Sequence, residues 1–443
     1  MLRSIFLALI PLALAACPPG DGGGDASAGN TTTTDGDSNA TVPTEGGGDP
    51  GFNPDYRQIL SGTTVDAVYT KVRVGQLDVT DVDGCCTDFV LAGPAQNHVK
   101  ILFGTSSRGL LFLSDVPDQT FSMGPTGVGI EDIVVADINA DGFDDVLALR
   151  SDGMVGIRHG LGATAPAPVL SATLLETSLA VGTNKGARSL AVTDINCMGK
   201  NDLIAVSPST DGVVYAVAAP GDTFSSPLFF STGLESSPRQ IIAGDLNGDN
   251  QPDIVTGNGD GSASVMLNTC GTLALTKFPI FDTGEYETPD MQIAIGRVCL
   301  GASAKDWPAI ALGYDQRVFI FCGSSGGTYD AVDEEPVVLW PARRYDYVMN
   351  INPQSPVLNS AVYQLQYWEP TQSLLVLWSD DPEEFAVFDP SAAGSHMPLV
   401  NLHGRTKGSA FAAHQSRTTG GPQWSQVVVL VPGAGFTDVS FTR

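Results

Sequence analysis

An acidic loop between two apolar segments recurs along this chain at a nearly constant interval. The clearest copies are VADINADGFDDVLAL (135–149) and AGDLNGDNQPDIVTG (243–257), and weaker copies are VTDINCMGKNDLIAV (192–206) and VTDVDGCCTDFVLAG (79–93). The leading acids, which are separated by 56, 57 and 51 residues, are Asp81, Asp137, Asp194 and Asp245. A repeat of this length predicts a propeller or a solenoid.

Further signs of a repeated four-stranded unit follow each loop. Tight Asp-Gly turns come after the second apolar segment in three units, at Asp152-Gly153, Asp211-Gly212 and Asp260-Gly261. Such turns favour β-hairpins, so the segments that follow, MVGIRHG, VVYAVAA and SASVMLN, are predicted third strands. A fourth segment such as FSSPLFFST then leads into the next unit. Four antiparallel strands per unit are typical of a propeller blade.

Three fainter units continue the pattern after residue 290. They cover 292–323, 361–388 and 409–433, and the place of the leading acid is taken by Arg297, Gln364 and His414. The sequence therefore predicts an all-β fold, a seven-bladed β-propeller of four-stranded antiparallel blades. The last unit has only three strands, and the segment near YRQILSG could supply the fourth and close the ring. The alternative, a tandem of β-sandwiches, gives no reason for an acidic loop at one fixed place in each unit.

The two clearest loops place oxygen atoms at alternate positions, counted from the leading acid as position one. Positions one, three, five, seven and nine are Asp137, Asn139, Asp141, Phe143 and Asp145 in one loop, and Asp245, Asn247, Asp249, Gln251 and Asp253 in the other. Position seven contributes its backbone carbonyl. Alternate oxygens on a tightly turning loop converge on one point, as in the calcium loop of an EF-hand, and hard oxygen ligands favour Ca²⁺. We therefore predict Ca²⁺ between the first two strands of these blades.

Two further loops are less complete. One keeps Asp194, Asn196 and Asp202 but has Met198 and Lys200 at positions five and seven, and the other keeps Asp81, Asp83 and Asp88 but is one residue short. We expect weaker calcium binding, or none, at both. The alternative for any single loop is an Asx-rich turn without a metal. Two complete loops in register favour calcium, in a structural role that neutralises the loop and locks the turn.

The two complete loops, with partial matches at Asp81 and Asp194, resemble the FG-GAP/VCBS repeats, which are also found in the head of integrin α subunits. The resemblance covers about four units clearly and three faintly. It implies a calcium-binding β-propeller on a secreted or surface protein, in which binding and adhesion are more common than catalysis. The departures at Arg297, Gln364 and His414 imply that the last three units hold no metal of this kind.

The N-terminus has the features of an exported, lipid-anchored protein. Residues 1–16 contain a basic residue and then an apolar run too short to span a bilayer, which predicts a signal peptide. The run ends in Leu-Ala-Ala-Cys, which resembles the lipobox of bacterial lipoproteins and implies lipidation of Cys17; ordinary signal peptidase cleavage is the alternative. Residues 17–51 are rich in Gly, Asp and Thr and predict a disordered linker. Residues 52–443 form the predicted propeller.

Charge and cysteine content agree with export. A formal net charge of −27 repels nucleic acid and anionic membranes, so membrane contact is expected only through the lipid anchor. Besides Cys17 the chain has an even number of cysteines, which predicts disulfides whose pairing stays open. These residues are Cys85, Cys86, Cys197, Cys270, Cys299 and Cys322. We expect the protein at the outer membrane or the cell surface of a Gram-negative bacterium.

The sequence offers no catalytic or cofactor-binding constellation. None of the five histidines belongs to an HxH or HExxH pair, and neither a nucleophile elbow nor a phosphate loop is found. We therefore predict a non-enzymatic, monomeric protein that binds a protein or polysaccharide through propeller loops. Residues 336–354 are one candidate binding loop, with an edge strand or an ordinary loop as the alternative; they include Trp340, Arg343, Arg344, Tyr345 and Tyr347. The alternative function is an enzyme on a propeller scaffold, such as a polysaccharide lyase or a phosphodiesterase.

Overall fold

A computed structural model describes the following residues: 53–57, 65–78, 88–107, 110–113, 116–179, 188–233, 236–260, 262–278, 291–296, 309–314, 317–323, 337–339, 361–368, 373–379, 384–388, 410–416, 424–431 and 435–442. The predicted signal peptide, Cys17 and linker lie outside the described residues. So do Asp81, Asp83 and most of the segment 336–354.

The first two units follow a short N-terminal strand, β1 (Asn53–Arg57). Unit one contains β2 (Lys71–Gly75), β3 (Asp88–Ala92), β4 (His98–Leu102), β5 (Gly104–Ser107), β6 (Leu110–Leu113) and β7 (Gln119–Ser122). Unit two contains β8 (Ile130–Ala136), β9 (Asp145–Arg150), β10 (Met154–Arg158) and β11 (Leu175–Ser178).

The middle units repeat this order of strands. Unit three contains β12 (Leu190–Thr193), β13 (Asp202–Ser207), the 3₁₀ helix Pro208–Thr210, β14 (Gly212–Ala216), β15 (Ala218–Ala219), β16 (Thr223–Phe224) and β17 (Leu228–Ser231). Unit four contains β18 (Pro238–Gly244), β19 (Asp253–Asn258), β20 (Ala263–Thr269) and β21 (Thr272–Phe278). Unit five contains β22 (Gln292–Gly296), β23 (Ala309–Tyr314), β24 (Arg317–Cys322) and β25 (Val337–Leu339).

The last two units complete the described chain. Unit six contains β26 (Ala361–Trp368), β27 (Ser373–Ser379) and β28 (Glu384–Phe388). Unit seven contains β29 (Ala410–Ser416), β30 (Trp424–Val431) and β31 (Gly435–Thr442). In the described ranges no helix is long and apolar enough to cross a membrane.

Each unit has its own main antiparallel sheet, and in units one and three the short strands β5-β6 and β15-β16 form additional two-stranded sheets. The order is β2-β3-β4-β7 in unit one, β8-β9-β10-β11 in unit two, β12-β13-β14-β17 in unit three and β18-β19-β20-β21 in unit four. Units five and six follow with β22-β23-β24-β25 and β26-β27-β28. The prediction of an all-β chain of four-stranded antiparallel sheets is confirmed, and this arrangement is consistent with a β-propeller.

The hydrophobic core lies between neighbouring sheets. One cluster joins units one and two around Val90, Ile133 and Ala148, and equivalent clusters join units two and three, three and four, and four and five. The second strands β9, β13 and β19 are buried along their whole length because a neighbouring sheet covers each of their faces. This is why these segments read as continuous apolar runs in the sequence.

The first strands of successive units lie against one another. β2 contacts β8 and β29, β8 contacts β12, β12 contacts β18, β18 contacts β22, β22 contacts β26, and β26 contacts β29. In addition, β1 pairs with β31 in antiparallel register from Asn53 opposite Thr442 to Arg57 opposite Asp438. The N-terminal strand thereby becomes the outer strand of the sheet β1-β31-β30-β29.

The strand register corrects the predicted alignment of unit one. Asp145, Asp202 and Asp253 each pair with the residue just before the leading acid of their unit. In unit one Asp88 pairs with Gly75, so Gln76 occupies position one, and the first strand is β2 instead of the predicted segment before Asp81. The loop between β2 and β3 is therefore longer than its equivalents, and the prediction that Asp81 leads it is wrong.

Gln364 and His414 are also placed differently from the prediction. Both lie within first strands, β26 and β29, because Gln364 pairs with Leu377 and His414 pairs with Gln426. Neither residue leads a loop. Arg297, by contrast, directly follows the last residue of β22, Gly296, although its own placement lies outside the described residues.

Gln364 instead makes a side-chain hydrogen bond to the next unit, and this type of bond recurs in other units. Asp132, Gln240 and Gln364 each follow a bulge in the first strand of their unit. Each side chain accepts a hydrogen bond from a backbone N–H in the first strand of the next unit: Asp132 from Leu190 at 3.0 Å, Gln240 from Ile293 at 2.5 Å, and Gln364 from Phe411 at 2.7 Å. The bulge redirects a side chain from its own sheet toward the neighbouring one.

Candidate calcium loops

The three loops led by Asp137, Asp194 and Asp245 have the same position and the same backbone shape. Each joins the first strand of its unit to the second. Position four is left-handed in all three, with φ of 63° at Ala140, 58° at Cys197 and 80° at Gly248. Position six is left-handed as well, at Gly142, Gly199 and Asn250. Two left-handed residues per loop turn the chain tightly enough to bring alternate side chains to one side.

The leading aspartate stabilises this turn through the backbone. Asp137 accepts hydrogen bonds from the N–H groups of Ala140, Asp141 and Gly142 at 2.8–3.2 Å. Asp194 accepts equivalent bonds from positions five and six of its loop, and Asp245 accepts them from positions four and six. These contacts are Asx-type turns, which need no metal to form.

Positions three and five extend the same network in the two complete loops. The Oδ1 atoms of Asn139 and Asn247 accept the N–H of position five at 2.9 Å. The Oδ1 atoms of Asp141 and Asp249 accept the N–H of position seven at 2.9 and 2.8 Å. In the Asp194 loop Asn196 keeps its bond to position five, but Met198 has no oxygen to offer. The three loops therefore differ in side chains and share a backbone.

The aspartate at position nine has a distinct environment, because it is fully buried in every case. One carboxylate oxygen accepts the N–H of position two, from Ile138, Ile195 or Leu246, at 2.9–3.1 Å. The other oxygen accepts an N–H at the end of the third strand at 2.7–2.8 Å, and the donors are Gly160, Ala218 and Asn268. The carboxylate thus joins the loop to the third strand, so a calcium ion would have to share these oxygens with backbone donors.

Asp88 of unit one makes the same contacts as the position-nine aspartates, joining its loop to the end of the third strand. Its Oδ2 atom accepts the N–H groups of Leu77 and Asp78 at 2.9 Å, and its Oδ1 atom accepts that of Gly104 at 3.3 Å. Burial raises the pKa of Asp88 to about 7 and that of Asp253 to about 6, because removing a carboxylate from water disfavours its charged form. The pKa values of Asp145 and Asp202 are also raised, mainly by burial.

His159 lies behind the Asp137 loop. Its Nδ1 atom is 3.3 Å from both Asp145 Oδ1 and Asn139 Nδ2, and its Nε2 atom is 3.8 Å from Asp222. With Lys200 and Asp222 it lines a small pocket of about 10 Å³ between units two and three. The pocket has room for about one water molecule, which is too little for a substrate.

The donor set fits calcium better than a transition metal. Across the described residues, no three His, Cys, Asp or Glu side chains converge as a metal cluster. A metal in these loops would therefore depend on the amide oxygens of Asn139 or Asn247 and on main-chain carbonyls, besides the half-buried carboxylate at position one and the exposed carboxylate at position five. A set of carboxylate, amide and carbonyl oxygens of this kind suits Ca²⁺, and carboxylate oxygens that accept an N–H retain a second lone pair.

Direct contacts place the loops of units two, three and four at one edge of the molecule. Asn201 Nδ2 donates to the carbonyl of Asp137 at 3.2 Å, which joins the second and third loops. A disulfide between Cys197 and Cys270 joins the third loop to unit four. Phe143, Leu161 and Met198 are exposed beside these loops, Met198 to 77 %. The loops thus present apolar side chains next to acidic ones.

Comparisons with known proteins show the fold and no more. No family model matches this chain, and no curated protein matches it either. Among solved structures, Raptor from Chaetomium thermophilum is 13 % identical with a TM-score of 0.51, over 87 % of this chain and 28 % of Raptor. The chain thus spans little more than a quarter of that protein.

Two further matches are weaker. BBS1N, solved in complex with ARL6DN, is 14 % identical over 86 % of this chain and 94 % of its own, with a TM-score of 0.48. Sqt1 from Saccharomyces cerevisiae is 13 % identical over 81 % of this chain and 82 % of its own, with a TM-score of 0.49. The neighbours are β-propeller-like proteins of the WD40 type. The resemblance to FG-GAP/VCBS repeats stays a hypothesis.

Proposed function

We propose that this chain is a calcium-binding surface protein that binds a protein or a polysaccharide and has no catalytic activity of its own. One observation carries the proposal. The Asp137 and Asp245 loops share one backbone and both present oxygens at positions one, three and five, at the same place in their units. Because the same feature occurs twice in register, a common ligand is a better explanation than two independent polar turns.

We further propose that the molecule is a closed propeller of seven blades. Support comes from the contacts between first strands, which run from β2 through each unit to β29 and back to β2. The pairing of β1 with β31 supports closure, because it covers an edge of the last sheet with the N-terminal strand. A ring held in this way needs no partner copy to hide its edges, so we expect a monomer.

Calcium in this proposal is structural. An ion at positions one, three and five would neutralise carboxylates that otherwise repel one another, and it would lock the turn between the first two strands. The residues that would hold it are Asp137, Asn139 and Asp141 in unit two, and Asp245, Asn247 and Asp249 in unit four. The position-seven carbonyls and the position-nine carboxylates are further candidates.

The proposed location is outside the cytoplasm, with the chain held to an outer membrane by a lipid on Cys17. The disulfide between Cys197 and Cys270 supports export, because such bonds persist in oxidising compartments. Cys322 is disulfide-bonded too. Labelling with a radioactive fatty acid in the native host, compared between the wild-type chain and Cys17→Ala, tests the anchor.

Calcium binding is tested by thermal unfolding with and without a chelator. We expect EDTA to lower the Tm by several degrees, because bound calcium stabilises only the folded state. Asp245→Ala should remove most of the response of one site. Asp194→Ala is the matched control, since it removes a leading acid from a loop that lacks the oxygen at position five. A Tm that is independent of EDTA would contradict the proposal.

Ligand binding is tested with a panel of acidic glycans, assayed for both binding and cleavage, and with a pull-down from intact cells. We expect capture of a ligand and no cleavage. Met198→Ser should weaken capture if the loop edge is the binding surface, whereas Leu228→Ser, at an exposed residue of an outer strand, should not. Cleavage of any glycan would support an enzyme on a propeller scaffold instead.

A further inference from the structure

The disulfide between Cys197 and Cys270 lies beside the Asp245 loop, one of the two complete loops. Cys197 is position four of the incomplete loop in unit three, and Cys270 follows the third strand of unit four. Their Cα atoms are 5.1 Å apart although 73 residues separate them in sequence. The bond therefore fixes unit three to the turn that borders the Asp245 loop.

Gln251 connects this bond to the Asp245 loop. Its Oε1 atom accepts the N–H of Cys270 at 2.7 Å and lies 3.7 Å from the Sγ atom of Cys197. Its own N–H donates to Asp249 Oδ1 at 2.8 Å. Gln251 is position seven, so the residue whose carbonyl is a candidate calcium ligand is held by both its backbone and its side chain.

Asn268 also joins the loop of unit three, the disulfide turn and the Asp245 loop. Its Nδ2 atom donates to the carbonyl of Ile195 in the loop of unit three at 2.8 Å, and its Oδ1 atom accepts the N–H of Gly271 at 2.9 Å. Its backbone N–H donates to Asp253, the position-nine carboxylate. Two adjacent loops and the disulfide turn thus form one hydrogen-bonded assembly.

The Asp137 loop has no such support at position seven. Phe143 occupies that position, and its N–H makes the equivalent bond to Asp141 Oδ1 at 2.9 Å. Its side chain is 38 % exposed and rests on the backbone at Gly162, without a polar bond to a neighbouring unit. The two copies of the loop therefore differ at position seven: Gln251 is bonded to the disulfide turn, whereas the Asp137 loop contacts unit three through the carbonyl of Asp137 and not through Phe143.

From this difference we propose that the Cys197–Cys270 disulfide and Gln251 are positioning elements that preorganise the Asp245 loop for calcium. The affinity of that loop then depends on the redox state of the cysteines, and the affinity of the Asp137 loop does not. The physical basis is that a loop fixed before binding loses less conformational freedom when the ion binds. The inference rests on the calcium binding proposed above.

The test isolates each loop in the full mature domain. Asp137→Ala/Asp141→Ala leaves only the Asp245 loop, and Asp245→Ala/Asp249→Ala leaves only the Asp137 loop. Calcium affinity is measured by titration calorimetry in each background, with and without Cys197→Ser/Cys270→Ser. We expect the serine substitutions to weaken calcium binding about tenfold at the Asp245 loop, as roughly one lost ordering restraint would, and to leave the Asp137 loop unchanged.

A second variant protects the test against misfolding of the serine variant. Gln251→Leu keeps the disulfide but removes the acceptor of the Cys270 N–H, and we expect calcium binding at the Asp245 loop to weaken about threefold, as for one lost hydrogen bond. The matched control is Phe143→Leu at position seven of the other loop, with no change expected. Circular dichroism confirms that each variant is folded.

The outcomes separate this inference from the proposed function. Equal weakening at both loops, or no weakening at the Asp245 loop while calcium still binds there, overturns the positioning role and leaves calcium binding intact. If neither loop binds calcium in the wild-type protein, the proposed function and the positioning role both fail. Selective weakening at the Asp245 loop supports the inference.

Discussion

The Asp245 loop and the Asp194 loop have one backbone and two different side-chain sets. Both turn through left-handed residues at positions four and six, and both use the leading aspartate and the asparagine at position three to hold the turn. They differ at position five, where one has Asp249 and the other has Met198. The shape of the loop is thus set by hydrogen bonds within the chain, and we propose that its capacity for calcium depends on a single further carboxylate.

The comparison also shows how the incomplete loop is secured. At position four it carries Cys197, which forms a bond to the next unit, where the complete loops carry Ala140 and Gly248. Under the calcium binding proposed above, a disulfide in one loop and an ion in the complete loops would restrict the same turn by different means.

The largest effect is expected from removing the tether of the incomplete loop. A cross-link that closes a loop of 73 residues restricts the unfolded chain by about 4 kcal/mol. We expect Cys197→Ser/Cys270→Ser to lower the free energy of unfolding by about this amount, measured by urea denaturation under non-reducing conditions. A loss below about 1 kcal/mol would mean that the hydrogen bonds of Asn268 and Gln251 hold the two loops together without the disulfide.

The position-nine carboxylates should matter equally in both loops. Asp202→Ala and Asp253→Ala each leave buried backbone N–H groups without an acceptor. We expect each change to lower the free energy of unfolding by about 3 kcal/mol in the presence of EDTA. If Asp253→Ala lowered the free energy of unfolding only with calcium present, Asp253 would act as a metal ligand and not as an acceptor of backbone N–H groups.

A smaller effect is expected from completing the incomplete loop. Met198 is exposed, so Met198→Asp fits without repacking and supplies the oxygen missing at position five. We expect this variant to gain about 1 kcal/mol of calcium-dependent stability at a calcium concentration a few times the Kd. The measurement is the difference in Tm between calcium and EDTA, with Met198→Asn, which supplies a neutral oxygen, as the weaker control. No gain with Asp would show that position five does not decide calcium binding.

An effect of similar size is expected from the proton on Asp88. Its pKa is about 7 in the folded protein because of burial, above its value in the unfolded chain. The folded state therefore binds this proton more tightly, so its contribution to stability is complete below about pH 4 and is lost as the pH rises through about 7. Between pH 6 and pH 8 in EDTA we expect the free energy of unfolding to fall by about 1 kcal/mol more for the wild type than for Asp88→Asn. Equal pH dependence would contradict the raised pKa.

Local patterns predicted much of the fold. Alternating apolar segments and Asp-Gly turns located the third strands β10, β14 and β20, because both signals depend only on neighbouring residues. The error in unit one has an equally local cause. Asp81 and Asp83 imitate the loop pattern, whereas the strand pairing that places Gln76 at position one depends on contacts across the sheet. The predicted positions of Gln364 and His414 were wrong for the same reason, because their strand pairing also depends on contacts across the sheet.

Features that depend on contacts between units could not be predicted. The hydrogen bonds that Asp132, Gln240 and Gln364 make to the next unit depend on a β-bulge, and a bulge has no recognisable pattern in a single sequence. The disulfide could not be chosen among fifteen pairings of six cysteines. The aspartate at position nine was predicted as a calcium ligand from its spacing, and only its burial reveals a second role as an acceptor of backbone N–H groups.

We propose that one carboxylate separates loops that bind calcium from a loop of the same shape that does not. A crystal structure of the mature domain, grown in millimolar calcium and measured for anomalous scattering, tests this most directly. We expect a peak in the Asp137 and Asp245 loops and none in the Asp194 loop. Vacant loops in units two and four, or an ion in the Asp194 loop as strong as the others, would contradict it.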